Sequence, residues 1–444
     1  MLQYSMVQLA KKHNKKFDRA LRQKFVSLYR PFRQIPCFLH RPIENMLKKR
    51  KKIPVIIEFE QNKDVSLSSA LLKTNQLVKS CARSKIDRQF SSTSSCSAVL
   101  TASTIEKLID EDCHIKRMYY DRKVNAMLDV ASPSIHAEQL NAQGLTGKGV
   151  HVAVVDTGIY PHKDLTKPTN RIVAFKDFIK NREKPYDDNG HGTHCAGDAV
   201  GNGYLSDGKY KGPASEAGVI GVKVLDKSGA GSLSTIVSGI QWCIDNQEEH
   251  QIDVISLSLG APADESDCND PLVQIVEKAW EAGMVVCVAA GNSGPDKRTI
   301  GTPGTSSKVV TVGAMDDKNT VDRSDDEVAS FSSRGPACEV EAKPDLLAPG
   351  VNIVSLRPSR SRLDKTFKSN RVDKNYVSLS GTSMATPICA GVAAIILQIN
   401  PEFSPDEVKQ QLLKAAVDRD LPPYVQGAGY LDAGKTVKSR VRAH

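Results

Sequence analysis

The sequence predicts an α/β fold: a doubly wound parallel sheet with helices on both faces, preceded by a small α+β unit of ferredoxin-like order. Three observations predict it. Beyond residue 145, continuous Val/Ile-rich runs alternate with helical stretches, as in sheets buried on both faces. Between residues 53 and 128 the order is strand, helix, strand, helix, strand. Asp156 and Asn292 fall just past the ends of apolar runs, on the rim where parallel sheets form ligand sites.

Residues 1–52 read as a basic N-terminal arm, with 15 Lys and Arg against Asp18 and Glu44. Phe17, Leu21, Phe25 and Leu28 recur at helical spacing, and Pro31 ends the pattern. Such a helix could lie on an anionic membrane surface, but the ordinary expectation is that its apolar stripe packs on the rest of the protein. Residues 53–128 form the small unit, with strands at 53–59, 95–100 and 115–120 and helices at 76–83 and 104–110. Residues 129–144 read as a linker, and 145–444 as the main domain. Its strands are expected at 150–155, 220–225, 252–259 and 284–289, and its helices at 233–246 and 271–282. Ser404-Pro405-Asp406-Glu407 opens a further helix with a capping box and a proline at the first position.

At 444 residues the chain is long enough for two to three domains, and 40% hydrophobic with 25% charged residues suits a large core. No run approaches the roughly 18 apolar residues of a membrane span. The first ten residues are mixed and lead directly into Lys11, Lys12, Lys15 and Lys16, unlike an export signal, so a cytoplasmic location is expected. The ten cysteines include no C-x-x-C pair and no metal-site spacing, and free thiols are expected. The net charge of +9 comes from the arm, because residues 53–444 hold more acids than bases. That excludes a nucleic-acid-binding body.

Three segments carry chemistry: Val155-Asp156-Thr157-Gly158, His191-Gly192-Thr193-His194-Cys195-Ala196-Gly197 and Gly381-Thr382-Ser383-Met384-Ala385-Thr386-Pro387. Taken singly, each has a structural reading as a helix cap, a turn or a helix start. Together, in the order Asp, His, Ser on a parallel α/β chain, they match the triad order of subtilisin. The sequence resembles the subtilisin family of serine proteases over about residues 145–435. Val288-Ala289-Ala290-Gly291-Asn292-Ser293-Gly294 is similar to the family segment bearing the oxyanion-hole asparagine. The cysteine in the histidine segment, the absent export signal and the basic arm most resemble the AprX-type intracellular alkaline serine proteases of bacilli.

The resemblance implies a serine endopeptidase acting on proteins and peptides, with no cofactor required for catalysis. A serine hydroxyl needs an adjacent base. His191 would take the Ser383 proton and pass it to the leaving amine, while Asp156 holds the imidazole. The Asn292 amide and the Ser383 N–H would meet the oxyanion, at the N-terminus of a helix expected from Met384, with Pro387 in its first turn. Ser258-Leu259-Gly260 and Ala230-Gly231-Ser232 resemble the two segments that hold substrate as an added strand. Ala289, Ala290 and Gly291 would line a roomy apolar S1 pocket, and Leu233 would wall a more distant subsite, although sheet packing is the ordinary alternative. Asp164 matches a family calcium ligand, but the loop Gly201-Asn202-Gly203-Tyr204-Leu205-Ser206-Asp207-Gly208-Lys209 departs from the family pattern. Cys195, four residues after His191, is either a small buried hydrophobe or a thiol through which mercurials inhibit. The 53–128 unit would be a pro-domain acting as intramolecular inhibitor, with an extended tail from Tyr120 cleaved after Leu128. A dedicated processing protease with acidic subsites and a pseudoprotease peptide-binding scaffold are the competing readings. None of the four catalytic positions is degraded.

Overall fold

A computed structural model describes residues 4–17, 19–29, 32, 40–60, 67–90, 95–111, 113–120, 128–261, 271–338, 340 and 342–437. The chain forms two compact units, residues 1–124 and 125–444.

The first unit has strands β1 (Lys52–Phe59), β2 (Lys85–Phe90), β3 (Ser95–Thr101) and β4 (Ile115–Tyr120), with helices Leu67–Ser80 and Ala102–Asp110 in the two crossovers. The strand order β2-β3-β1-β4, antiparallel throughout, completes the ferredoxin-like arrangement. Alternate residues of β1 are buried, as expected of a sheet covered on one face. The edge strand β2 was not expected, because Lys85-Ile86-Asp87-Arg88-Gln89-Phe90 has the charged composition that blunts an exposed edge. The helix expected at 76–83 begins nine residues earlier and ends at Ser80.

Residues 1–52 are not a separate arm. Met6, Phe17, Leu21 and Phe25 are fully buried in one core with Ile53, Val55 and Ile57. Phe17 bridges Met118 of β4, and Ser5 and Tyr29 both donate to the Glu44 carboxylate at 2.8–3.0 Å. The stripe that could have met a membrane is thereby spent on internal packing.

The expected linker is also structured. Helices Leu128–Ser134 and Ala137–Ala142, with the turn between them, bury Ala131, Ile135, Ala137 and Leu140 in the core of the second unit.

That core surrounds a sheet of β5 (His151–Asp156), β6 (Ile172–Asp177), β7 (Gly218–Lys223), β8 (Ile252–Leu257), β9 (Val285–Ala289), β10 (Val310–Asp316), β11 (Glu327–Val328) and β12 (Leu346–Pro349). The order is β11-β10-β9-β8-β5-β7-β6, with β12 beside β10; every pairing is parallel except β10 with β11. β7 and β9 are buried at every residue, which is why they read as unbroken apolar runs. A separate hairpin joins β13 (Ile353–Leu356) and β14 (Tyr376–Leu379).

The chain order reverses direction at β5, which therefore marks the switch point where a crevice opens beyond the strand ends. Against the sheet lies helix Thr382–Ile399, packed on β8, β9, β10 and the helix His191–Val200. Its 18 residues have a mean hydropathy of 1.7, enough by length and composition for a membrane span. The expectation of no such run therefore fails, because a helix enclosed on all sides is apolar all round.

Candidate active site

Asp156 is the last residue of β5 and is fully buried. Its Oδ1 accepts the Thr157 N–H at 2.6 Å. His191 opens the helix His191–Val200, hereafter the histidine helix, and its Nδ1 stands 2.9 Å from each Asp156 oxygen. Nε2 is left for the cleft, which His191 lines.

This helix has a glycine-rich start, and its position comes from tertiary contacts. The buried Asp187 carboxylate accepts N–H groups from Asn189, Gly190 and Thr193 at 2.8–3.0 Å. It also takes the Thr157 hydroxyl at 3.0 Å, while Thr157 Oγ1 accepts the Gly192 N–H at 2.9 Å. Gly192 is required by close approach: a Cβ there would stand 2.4 Å from the Gly158 carbonyl oxygen. Beneath this turn the fully buried Lys223 ammonium donates to the Thr157 carbonyl, and to Asp188 Oδ1 and the Leu225 carbonyl at 2.9 Å.

Burial opposes charge on His191, but the Asp156 carboxylate outweighs it and holds the imidazole well above its ordinary value of 6.5. Burial pushes the Cys195 thiol up to about 11, so it stays protonated at neutral pH.

Ser383 is the second residue of helix Thr382–Ile399, the serine helix, which starts two residues earlier than expected. Pro387 consequently lies inside the helix rather than in its first turn. Having no N–H, it leaves the Ser383 carbonyl, four residues back, without its helical donor. Ser258 Oγ fills that place at 2.8 Å and Cys195 Sγ at 3.4 Å. Ser383 Oγ itself donates to the Ser258 carbonyl at 3.3 Å and not to His191. Catalytic hydrogen bonds of this kind commonly tighten only with substrate in place.

The Asn292 Oδ1 accepts from the Thr382 N–H at 2.9 Å and its hydroxyl at 3.1 Å. Because the backbone donor is unambiguous, Nδ2 is the free end. A Cβ added at Gly381 would stand 3.5 Å from Asn292 Nδ2 and 3.6 Å from the Ser383 nitrogen, so both donors flank one small space. An oxyanion in that space would meet an amide N–H and the dipole of the serine helix.

These groups share one cleft of about 640 Å³. Ser258, Leu259, Gly260, Ala230, Gly231, Ala289, Gly291 and Leu233 line it as expected. Ala290 does not: it is fully buried with Ile300 and Ala337, behind the wall its neighbours form. Leu225, Ile236 and Leu272 also line the cleft and were not anticipated. Leu225 lies two residues past β7, so the strand-end rule that found Asp156 would have found it.

Asp164 does not fit calcium. Its Oδ1 accepts the Leu205 N–H at 3.0 Å and its Oδ2 the Tyr376 hydroxyl at 2.6 Å. A calcium site needs acceptor oxygens around the ion, whereas protein donors occupy both carboxylate oxygens here. The extended tail expected before Leu128 lies outside the described residues, and Leu128 itself opens a helix. Among the described residues seven cysteines are free, but Cys338 is disulfide-bonded, which corrects the expectation of free thiols throughout. Disulfides join positions distant in sequence, and spacing gave no sign of this one.

Comparison with known proteins gives the family. The subtilase family profile (peptidase S8) matches residues 147–429. The chain is 51% identical over 446 residues to Serine protease AprX of Bacillus subtilis (strain 168), covering 98% of this chain and 99% of that protein. It is 38% identical over 293 residues to Subtilisin DY of Bacillus licheniformis, covering 64% and 90%. A crystal structure of a cold-adapted subtilisin-like serine proteinase aligns at 31% identity with a TM-score of 0.49, covering 65% of this chain and 88% of that one. The chain belongs to the subtilase family and is a subtilisin-like serine protease, a peptide hydrolase.

Proposed function

We propose that the enzyme is an endopeptidase of broad specificity with an apolar P1 preference, held inactive by its first unit until that unit is removed near Leu128. The observation that carries the specificity is the lining of the cleft. Among the described residues it holds no Asp, Glu, Lys or Arg, and Ala289 and Gly291 contribute small walls. A binding site for paired basic side chains needs acidic walls, so this lining favours the broad reading over the dedicated processing protease. Profiling cleavage of a peptide library tests it: hydrolysis after Leu, Phe and Met is expected, and cleavage confined to Arg–Arg would overturn it.

Self-processing rests on the separate first unit and on the family resemblance. N-terminal sequencing of active wild type beside Ser383→Ala decides it. Active enzyme that retains residues 1–128 would refute removal.

A cytoplasmic location is supported by the seven free cysteines among the described residues, as thiols persist in a reducing compartment. Cell fractionation tests this: recovery of the activity outside the cytoplasmic fraction would overturn it. Mercurial inhibition through Cys195 is supported by the ligand atoms of Asp156, His191 and Cys195, all within 4.8 Å of one another. A soft cation there would immobilise the base. Inhibition that persists unchanged in Cys195→Ala would refute this.

A further inference from the structure

Between β13 and β14 the chain makes an excursion whose residues 357–374 include seven Arg and Lys against Asp364 and Asp373. Its helix Arg362–Thr366 is docked beside the catalytic histidine. The Arg362 N–H donates to the Asp188 carbonyl and the Leu363 N–H to the Asn189 carbonyl, each at 2.9 Å. Gly190, the residue before His191, leaves no room for a side chain, since a Cβ there would stand 2.7 Å from Ser361 Oγ. Leu363 lines the substrate cleft itself.

The charges of this lobe divide into two sets. Arg357 and Arg371 each place Nε 2.6 Å from the buried Asp364, whose N–H is capped by Ser361 Oγ. Those two bases are internal and fix the shape of the lobe. Arg360, Arg362, Lys365, Lys368 and Lys374 are exposed and have no carboxylate partner among the described residues. Asp373 is turned to its own backbone, accepting the N–H groups of Asn375 and Tyr376. Asp188, whose carbonyl accepts the Arg362 N–H, has its carboxylate already paired with Lys180 and Lys223. Among the described residues the lobe therefore presents uncompensated positive charge immediately beside a cleft lined by no Asp, Glu, Lys or Arg.

We propose that this lobe is a substrate-selecting element that recruits acidic polypeptide segments to the histidine side of the cleft. The proposal deepens the protease reading and rests on it. Charge of this kind acts over a screening length of about 8 Å at physiological salt and raises association more than it changes chemistry. Its signature is accordingly a KM effect that salt removes.

The test uses peptide sets that differ only by Glu, Gln or Lys at one position at a time on either side of the scissile bond. They are compared for wild type and R362Q/K365Q, with enzyme counted by active-site titration. At about 0.02 M salt the Glu peptide should exceed its Gln counterpart in kcat/KM by roughly tenfold at one or more positions, mostly through KM. That ratio should fall toward one at about 0.5 M salt and in the double variant. A ratio near one at every position in wild type overturns the proposal, as does a ratio that survives the double variant. Should the double variant not fold, K365Q and K368Q alone must each lower the ratio about twofold, and an unmoved ratio in both is equally fatal. Failure of the protease reading is distinct: wild type would then neither titrate nor cleave the Gln peptides.

Discussion

The histidine helix and the serine helix deliver their groups to one cleft, yet different forces hold them. The histidine helix starts with His191-Gly192-Thr193 and owes its placement to polar anchors: Asp187 on its first N–H groups, Thr157 on Gly192, and Lys223 beneath Thr157. The serine helix is apolar all round and buried against β5, β8, β9, β10 and β12. The start of the buried histidine helix is therefore positioned chiefly by charge and hydrogen bonding, and the serine helix chiefly by packing. Perturbations of charge should reach His191 first, whereas perturbations of volume should act on stability.

The comparison can be broken at the reacting groups themselves. Ser383→Ala should lower kcat by about 10⁶-fold with the fold intact, read by peptide hydrolysis and thermal melting. Asp156→Asn should cost about 10⁴-fold by leaving the imidazole in the wrong tautomer. It should also move the pH profile. His191 must be neutral to accept the serine proton, and the Asp156 carboxylate raises its pKa above 6.5. The acid limb of kcat/KM in wild type should therefore lie above pH 6.5 and shift downward in Asp156→Asn; an unmoved limb would assign it to another group. Asn292→Ala should cost about 10²–10³-fold in kcat with KM little changed, since its amide meets charge that exists only in the transition state.

Two smaller effects separate the helices. Asp187→Ala should destabilise by about 1–2 kcal/mol, as expected for a lost helix cap, and displacement of the histidine should cost about tenfold in turnover. Ile395→Ala, in the fully buried part of the serine helix, should destabilise by about 2–5 kcal/mol. Its turnover per titrated active site should be unaltered. Equal turnover losses in these two variants would erase the distinction.

What could be read from the sequence follows the same division. Asp156, His191, Ser383 and Asn292 were legible because each sits in a short segment of small residues at a strand or helix end, in a fixed order. Lys223 and Asp187 were not, because a lysine or aspartate in sequence reads as solvated surface, and only the fold shows these two to be buried. Ala290 was misplaced for the opposite reason: three consecutive small residues look like one wall, yet the chain past β9 turns the middle one inward. Helix Leu128–Ser134 and edge strand β2 were missed because their apolar residues are too few for a clear period. Of the parallel strands, β5, β7, β8 and β9 were found; β6 was missed because most of it is only half-buried, β10 because Thr311 and Gly313 interrupt its apolar run, and the four-residue β12 because it is short.

Pro387 gives the serine helix a missing rung. In an ordinary helix the Ser383 carbonyl would be consumed by its own ladder and would communicate with nothing outside it. Here the vacancy is a socket into which Ser258, from the substrate-holding segment after β8, and Cys195, from the histidine helix, both plug. The nucleophile's backbone is thus wired to the peptide-binding strand and to the base by one residue's inability to bond. Pro387→Ala would restore a competing donor, making a more regular helix and a less connected enzyme.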